Sequence, residues 1–402
     1  MAVNREKLVV TDQVQAPEGA RVQVLRMVDG TEIRTAVWPV PANTEPAGTV
    51  VLFHGRTEFI EKYYEVIGEL QARGFAVLTF DWRGQGLSSR LLTHPLKGHV
   101  DRFCDYVDDA RAIIDHLLTD DLPTPHVLMA HSMGGNIALR FIQENPVRFS
   151  RAVLCAPMTG IRTAPVPGLV TRGIAIGMIL AGRATAFVSR SGGKHPRQEA
   201  FKGNRVTSDA DRFRRTIRLL EAEPALGLNG ITWRWLREAL VSCDRVMDLE
   251  QAQTLSIPIL LASAAGEKIV DGNSHARFAA LAPTVRHVTI AEAEHEILQE
   301  RDAIRTQFWT AFDAFVAEGA SPSRSQAAAP AGLAGEGAVG AGAAAAPVTD
   351  PLAPSGSISP PAPQPESKPV SDDGQTAAED AGFDAADTTR TGPISHGPSS
   401  HG

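Results

Sequence analysis

The sequence predicts an α/β protein: a mostly parallel central sheet, an N-terminal antiparallel hairpin and a mostly helical cap insertion. Three observations carry this. Short continuous apolar runs alternate with helical periodicity, and the connections between runs are too long for hairpins. Before them, two segments of alternating polarity flank a Val-Asp-Gly turn. The alternation stops between Ala156 and Asp248, then resumes.

In chain order, Ala20 to Met27 and Thr31 to Trp38 read as the two hairpin strands. Thr49 to His54 (TVVLFH) is apolar without alternation, as suits a strand covered on both faces. Phe59 to Ala72 places Phe59, Tyr63, Val66, Ile67 and Leu70 at helical spacing, and Gly74 ends it. Phe75 to Phe80 is the next buried strand, and Val107 to Leu118 a helix stopped by Pro123 and Pro125. Strand His126 to His131, helix Met133 to Glu144 and strand Arg151 to Cys155 follow. Past the cap, Ile257 to Ala262 and Val285 to Ile290 are strands, and Leu298 to Val316 a closing helix with Phe308, Phe312 and Phe315 inward. The expected organisation is core over 1–155 and 249–318, cap over 156–248 and tail over 319–402.

That tail is rich in Ala, Gly, Pro and Ser, and Phe383 is its one aromatic. It has too little apolar surface to offset the entropy of ordering, so disorder is expected. It also carries nearly all of the chain's formal charge of -7. The remainder is close to neutral, so net charge says nothing about a nucleic-acid partner, and none is expected. Nothing in the tail's sequence identifies a partner for it. The three cysteines, Cys104, Cys155 and Cys243, form no CxxC pair, so neither a disulfide framework nor a metal site is expected. The N-terminus lacks a signal-peptide core. The apolar run Gly173 to Gly182 is far short of the roughly 18 residues that span a bilayer. A cytoplasmic or membrane-peripheral protein is expected.

Chemistry concentrates in Ala130-His131-Ser132-Met133-Gly134-Gly135, where an apolar strand runs directly into a helix. A sharp strand-to-helix turn pushes a serine oxygen outward and leaves the next N–H, that of Met133, free to hold an oxyanion. Small flanking residues are needed; Gly134 meets that need, and Ala130 stands where glycine is usual. The loop after Thr49 to His54 supplies the second oxyanion donor, assigned to the Arg56 N–H. The base must follow the last strand, which selects His295. The acid follows Ile257 to Ala262, where Glu267 and Asp271 are candidates. Glu267 is preferred because it is nearer the strand end; Asp271 is either the alternative acid or a cap for the next helix. The charges of Asp81 to Ser88 (DWRGQGLS) read as structural braces.

Together FHGRTEFIEKY, DWRGQGLSSR, HSMGGNIALR and AEHEILQE resemble the bacterial lysophospholipase and monoacylglycerol lipase branch of the α/β-hydrolases, over roughly residues 20–317. The resemblance implies the α/β-hydrolase fold, with Ser132 as nucleophile, His295 as base, and Arg56 and Met133 as oxyanion donors. Glu267 falls where the family usually has Asp. No organic cofactor or metal is implied. The implied reaction is hydrolysis of a small amphiphilic ester through an acyl-enzyme.

The cap adds a charge pattern. Between Arg183 and Arg218 stand ten basic and three acidic residues, just after the apolar Ile174 to Leu180. This predicts contact with an acyl chain and phosphate, or with an anionic membrane surface. Rival readings are an acyltransferase, a hydrolase of another ester or amide, and a non-catalytic binding protein. Retention of Ser132 and His295 speaks against the last.

Overall fold

The structure, a computed structural model, describes residues 4–163 and 165–318. The expected tail, 319–402, lies outside the described residues. Eight strands assemble: β1 (Arg21–Arg26), β2 (Glu32–Trp38), β3 (Gly48–Phe53), β4 (Phe75–Phe80), β5 (His126–His131), β6 (Arg151–Cys155), β7 (Ile259–Ala264) and β8 (Val285–Ile290). They form one sheet in the order β1-β2-β4-β3-β5-β6-β7-β8. β1 and β2 are antiparallel, with Arg21 opposite Val37, and β2 joins β4 antiparallel. All later pairings are parallel. This is the α/β-hydrolase architecture.

The continuous apolar runs are explained by cover on both faces. Val51 and Phe53 of β3 enter one apolar layer, with α2 (Cys104–Leu117), α3 (Met133–Glu144) and Phe278. Val50 and Leu52 enter the other, with α1 (Tyr64–Ala72) and α9 (Asp302–Ala317). A strand whose successive residues point to opposite faces must then be apolar at every position.

Between β6 and β7 the chain leaves the sheet. It forms α4 (Gly168–Leu180), α5 (Ala210–Ala222), α6 (Trp233–Val246) and α7 (Leu249–Gln253), joined by short 3-10 turns. Side chains start three of these helices: Asp209 accepts from the Asp211 and Arg212 N–H groups, Thr232 from that of Trp235, and Asp248 from that of Gln251. α6 buries Trp235, Ala239 and Cys243, and its Ser242 hydroxyl donates to Asn136 of α3 at 2.6 Å. α8 (Asn273–Leu281) follows β7.

Several boundaries differ from the periodicity by one to three residues, as where α2 starts at Cys104 rather than Val107 and β7 runs on to Ala264; three differences have a local cause. The strand expected from Ile257 starts at Ile259, because Pro258 has no N–H for the ladder. The helix expected from Phe59 opens as a 3-10 turn, Ile60–Tyr63, before α1. The closing helix is split: a turn at Ile297–Gln299, then α9 from Asp302. Between them Glu300 turns fully inward to accept the Ser208 and Glu294 N–H groups, and Arg301 is extended.

Candidate active site

Parallel strands deliver their C-terminal loops to one sheet edge, where α/β proteins place ligands. Here the loops after β3, β5, β7 and β8 meet. Ser132 joins β5 to α3 with φ 51° and ψ -117°, outside the helical and extended regions. The strain is held by close packing. A Cβ on Gly134 would lie 2.5 Å from the Phe53 carbonyl and 2.6 Å from that of His54. One on Gly135 would lie 2.6 Å from Pro157 Cβ. Ala130, where glycine is usual, pairs with Phe53 of β3 and Leu154 of β6 and buries its methyl in the apolar layer that also holds α2 and α3.

The Ser132 hydroxyl stands 2.9 Å from His295 Nε2. His295 Nδ1 stands 2.7 Å from Glu267 Oε2. The other oxygen of Glu267 accepts the N–H groups of Ile269 and Val270 at 2.7 and 3.1 Å. Burial alone would raise this carboxyl, but His295 and the two N–H groups bring it down to about 2. It is therefore a carboxylate at neutral pH. Facing Nδ1, it favours the tautomer with the proton there and leaves Nε2 free toward the serine hydroxyl.

Asp271, the alternative acid, is not part of this relay. It pairs with Arg277 at 2.8 Å and accepts the Asn273 N–H at 3.2 Å, at the start of α8. The reason is the loop's course. Just after Glu267 a bridge joins Ile161 to Val270, and the Asp271 N–H donates to the Gly160 carbonyl at 3.0 Å, which holds Asp271 against that segment beside Arg277.

The Arg56 and Met133 N–H groups have no acceptor among the described residues. Met133 opens α3, where an N–H has no intrahelical partner. Both residues line one cavity of about 260 Å³ with Ser132 and His295, walled by apolar side chains including Met158, Ile231 and Trp235. The loop carrying Arg56 is pinned: Asp81 accepts the Ile60 and Leu87 N–H groups, and Gln85 accepts that of Thr57. Buried Arg34 bonds to Asp81 and Glu61.

Sequence reasoning missed a second buried group beside the serine. Glu58 accepts from the Gly55 N–H at 2.5 Å, the Tyr63 hydroxyl at 2.8 Å, Lys62 at 3.0 Å and His131 Nδ1 at 3.0 Å. Burial opposes its charge, but Lys62 and His131 hold its carboxyl well below the usual carboxylate range. Lys62 also reaches Glu296 at 2.6 Å. The Glu58–Lys62 spacing, i and i+4, was the available signal.

The basic stretch of the cap is less available than its composition indicates. Arg212 bonds to Glu65, Asp209 and Asp302. Arg215 bonds to Glu65, Arg214 to Asp211, and Arg205 to the Lys268 carbonyl. Among the described residues, one trio of metal-ligand type, Cys104, Asp105 and Asp108, has its Asp105 already paired with Arg102.

A family model described as serine aminopeptidase, S33, matches residues 44–302. This chain belongs to the S33 family of α/β-hydrolases. It is a serine hydrolase. The S33 chain is 36% identical over 264 residues to lysophospholipase L2 of Escherichia coli strain K12, covering 64% of this chain and 76% of that one. It is 30% identical over 155 residues to a monoacylglycerol lipase of Mycolicibacterium smegmatis, covering 39% and 53%. A soluble variant of the Saccharomyces cerevisiae monoglyceride lipase, solved with a substrate analogue, superposes with TM-score 0.59 at 19% identity. That match covers 76% of this chain and 98% of that one and shows the shared fold.

Proposed function

We propose that this S33 hydrolase cleaves the acyl ester of lysophospholipids or monoacylglycerols through an acyl-enzyme on Ser132. The observation that carries the reading is the relay Ser132–His295–Glu267 opening onto an apolar-walled cavity that also receives two unpaired backbone N–H groups. Similarity over 264 residues to a lysophospholipase supports the substrate class.

The steps follow from the positions. His295 Nε2 takes the Ser132 proton as the serine oxygen attacks the ester carbonyl. The Arg56 and Met133 N–H groups receive the charge on the tetrahedral oxygen, each worth about 2.7–4 kcal/mol in such sites. Glu267 stabilises the imidazolium that forms. The alcohol leaves with the proton from His295, and water activated by the same nitrogen releases the fatty acid.

Membrane contact belongs to the same reading. α4 leaves Leu169 and Leu180 more than four-fifths exposed, with Val170, Ile174 and Ile176 exposed beside them. An apolar strip of this kind suits seating at a lipid surface. Among the described residues no helix is long and apolar enough to cross a membrane. All three cysteines are free, which supports the reading of a cytoplasmic enzyme.

The test is fatty-acid release from lysophosphatidylethanolamine, lysophosphatidylglycerol and monoacylglycerol by wild type and Ser132→Ala. Release that vanishes in the variant is the expected result. Activity confined to short p-nitrophenyl esters would remove the lipid assignment and keep the serine hydrolase.

A further inference from the structure

Arg56 brings more than a backbone N–H to the site. Its guanidinium lies 5.7 Å from the centroid of the Trp235 ring and donates to the Asn229 carbonyl at 2.5 Å. Among the described residues no carboxylate lies within ion-pair distance of it. Burial pushes its pKa down, as expected of a cation with no close counter-charge. The side chain lines the Ser132 cavity and also a second cavity of about 220 Å³ that shares Arg56, Thr57, Val206 and Glu296 with the first.

The other charges of that second cavity sort cleanly. Its two further cations are committed, Lys62 to Glu58 and Glu296, Arg212 to Glu65, Asp209 and Asp302. Lys62 thereby also satisfies Glu296. Glu199, an exposed residue of the same cavity, has no cation within ion-pair distance; partial burial and Glu296 raise its pKa, while Arg56 is near enough to lower it. The cavity next to the serine therefore holds one guanidinium without a counter-charge and, at an exposed position, one carboxyl without a cation, not bonded to each other.

We infer that Arg56 and Glu199 form a head-group subsite that takes a phosphodiester and an ammonium together, and so selects zwitterionic lysophospholipids over neutral monoacylglycerols. This rests on the reading of the chain as a lipid ester hydrolase. A guanidinium offers a planar fork of donors that matches a phosphate. The Arg56 N–H sits at the ester, and its guanidinium lies one side chain away. A glycerol unit separates an acyl carbonyl from its phosphate by a comparable stretch. A bare glycerol head carries neither charge: it would leave the Arg56 guanidinium desolvated without an anion, which costs binding, and would gain nothing from the exposed Glu199. An anionic head with a second glycerol satisfies Arg56 but not Glu199.

The experiment compares kcat/KM on lysophosphatidylethanolamine, lysophosphatidylglycerol and monoacylglycerol of one acyl chain. The proteins are wild type, Arg56→Met, Arg56→Lys and Glu199→Gln, with melting temperatures recorded. Arg56→Met keeps the backbone N–H. It is expected to lower the lysophospholipid-to-monoacylglycerol ratio about 10- to 100-fold, with partial return in Arg56→Lys. Glu199→Gln is expected to lower the ethanolamine-to-glycerol ratio of the two lysophospholipids about tenfold. If Arg56→Met does not fold, the Glu199→Gln ratio decides alone. Equal falls on all three lipids, with ratios unchanged, would overturn this inference and leave the lipid hydrolase standing. Wild type that cleaves none of the three but cleaves p-nitrophenyl butyrate would overturn both.

Discussion

The ring of His131 stands 4.9 Å from that of His295, centroid to centroid, and its Nε2 lies 3.2 Å from the His295 backbone carbonyl. Its Nδ1 faces the Glu58 carboxylate at 3.0 Å. Both partners only accept, so both ring nitrogens must donate and His131 is an imidazolium. Burial opposes that charge; Glu58 outweighs it and raises the His131 pKa. The residue before the nucleophile thus ties the main chain of the base to the loop after β3.

Replacing His131 by Asn removes this tie while leaving Ser132, His295 and Glu267 in place. The expected result is a fall in kcat of about 10–100-fold with little change in KM, because a small misplacement of a reacting group is enough for such a loss. Steady-state kinetics on a soluble ester checks it. A large rise in KM at unchanged kcat would contradict a positioning role.

The same pair predicts a pH dependence of stability. His131 has a folded pKa raised above 6.5, so its contribution is complete below about 6.5 and is lost as pH rises through the folded value. Glu58 has a folded pKa below 4.5, so its contribution is present above about 4.5 and is lost as pH falls through the folded value. The melting-temperature difference between wild type and His131→Asn is expected to peak between these limits and to shrink at higher pH. A difference that grows steadily with pH would exclude the imidazolium.

Glu267 and Asp271 are separable by substitution. Glu267→Gln keeps the size but loses the charge that stabilises the His295 imidazolium, and is expected to lower kcat about 10³–10⁴-fold. Asp271→Asn breaks an ion pair with Arg277 whose partners are both partly exposed, and is expected to change kcat less than about threefold. The comparison is kcat/KM for the two variants; the reverse order would move the acid to Asp271.

Leu169 and Leu180 test the lipid surface. Changing both to Ser is expected to weaken binding to anionic vesicles about tenfold per leucine while leaving hydrolysis of a short soluble ester unchanged. Vesicle sedimentation with parallel ester kinetics checks both halves. Unaltered vesicle binding would remove α4 from the contact.

Some of this protein is written locally. Strand and helix leave periods of two and 3.6 in the residues themselves, so the order of the eight strands and the core helices was readable, while 156–248 was legible only as a helical block. The Ser132 turn was readable because a strand end, a serine and Gly134 adjoin in the chain. His295 followed from its place after β8. The limits of that reading were local too: Pro258 moved a strand by two residues, and inward Glu300 split a helix.

Other features depend on residues that meet only when the chain is folded. His131 and Glu58 are 73 residues apart, Lys62 and Glu296 are 234 apart, and no period marks either pair. Which arginines of the cap keep a usable charge depends on acids brought from distant elements, as Glu65 of α1 neutralises Arg212 and Arg215. The acid of the proposed relay is picked out the same way. Glu267 and Asp271 are four residues apart in one loop, and only in the folded chain does the first meet His295 and the second Arg277. Sequence alone specifies where backbone hydrogen bonds repeat and where a chain must turn. Charge pairing acts through space over a few ångströms, and that distance exists only in the tertiary structure.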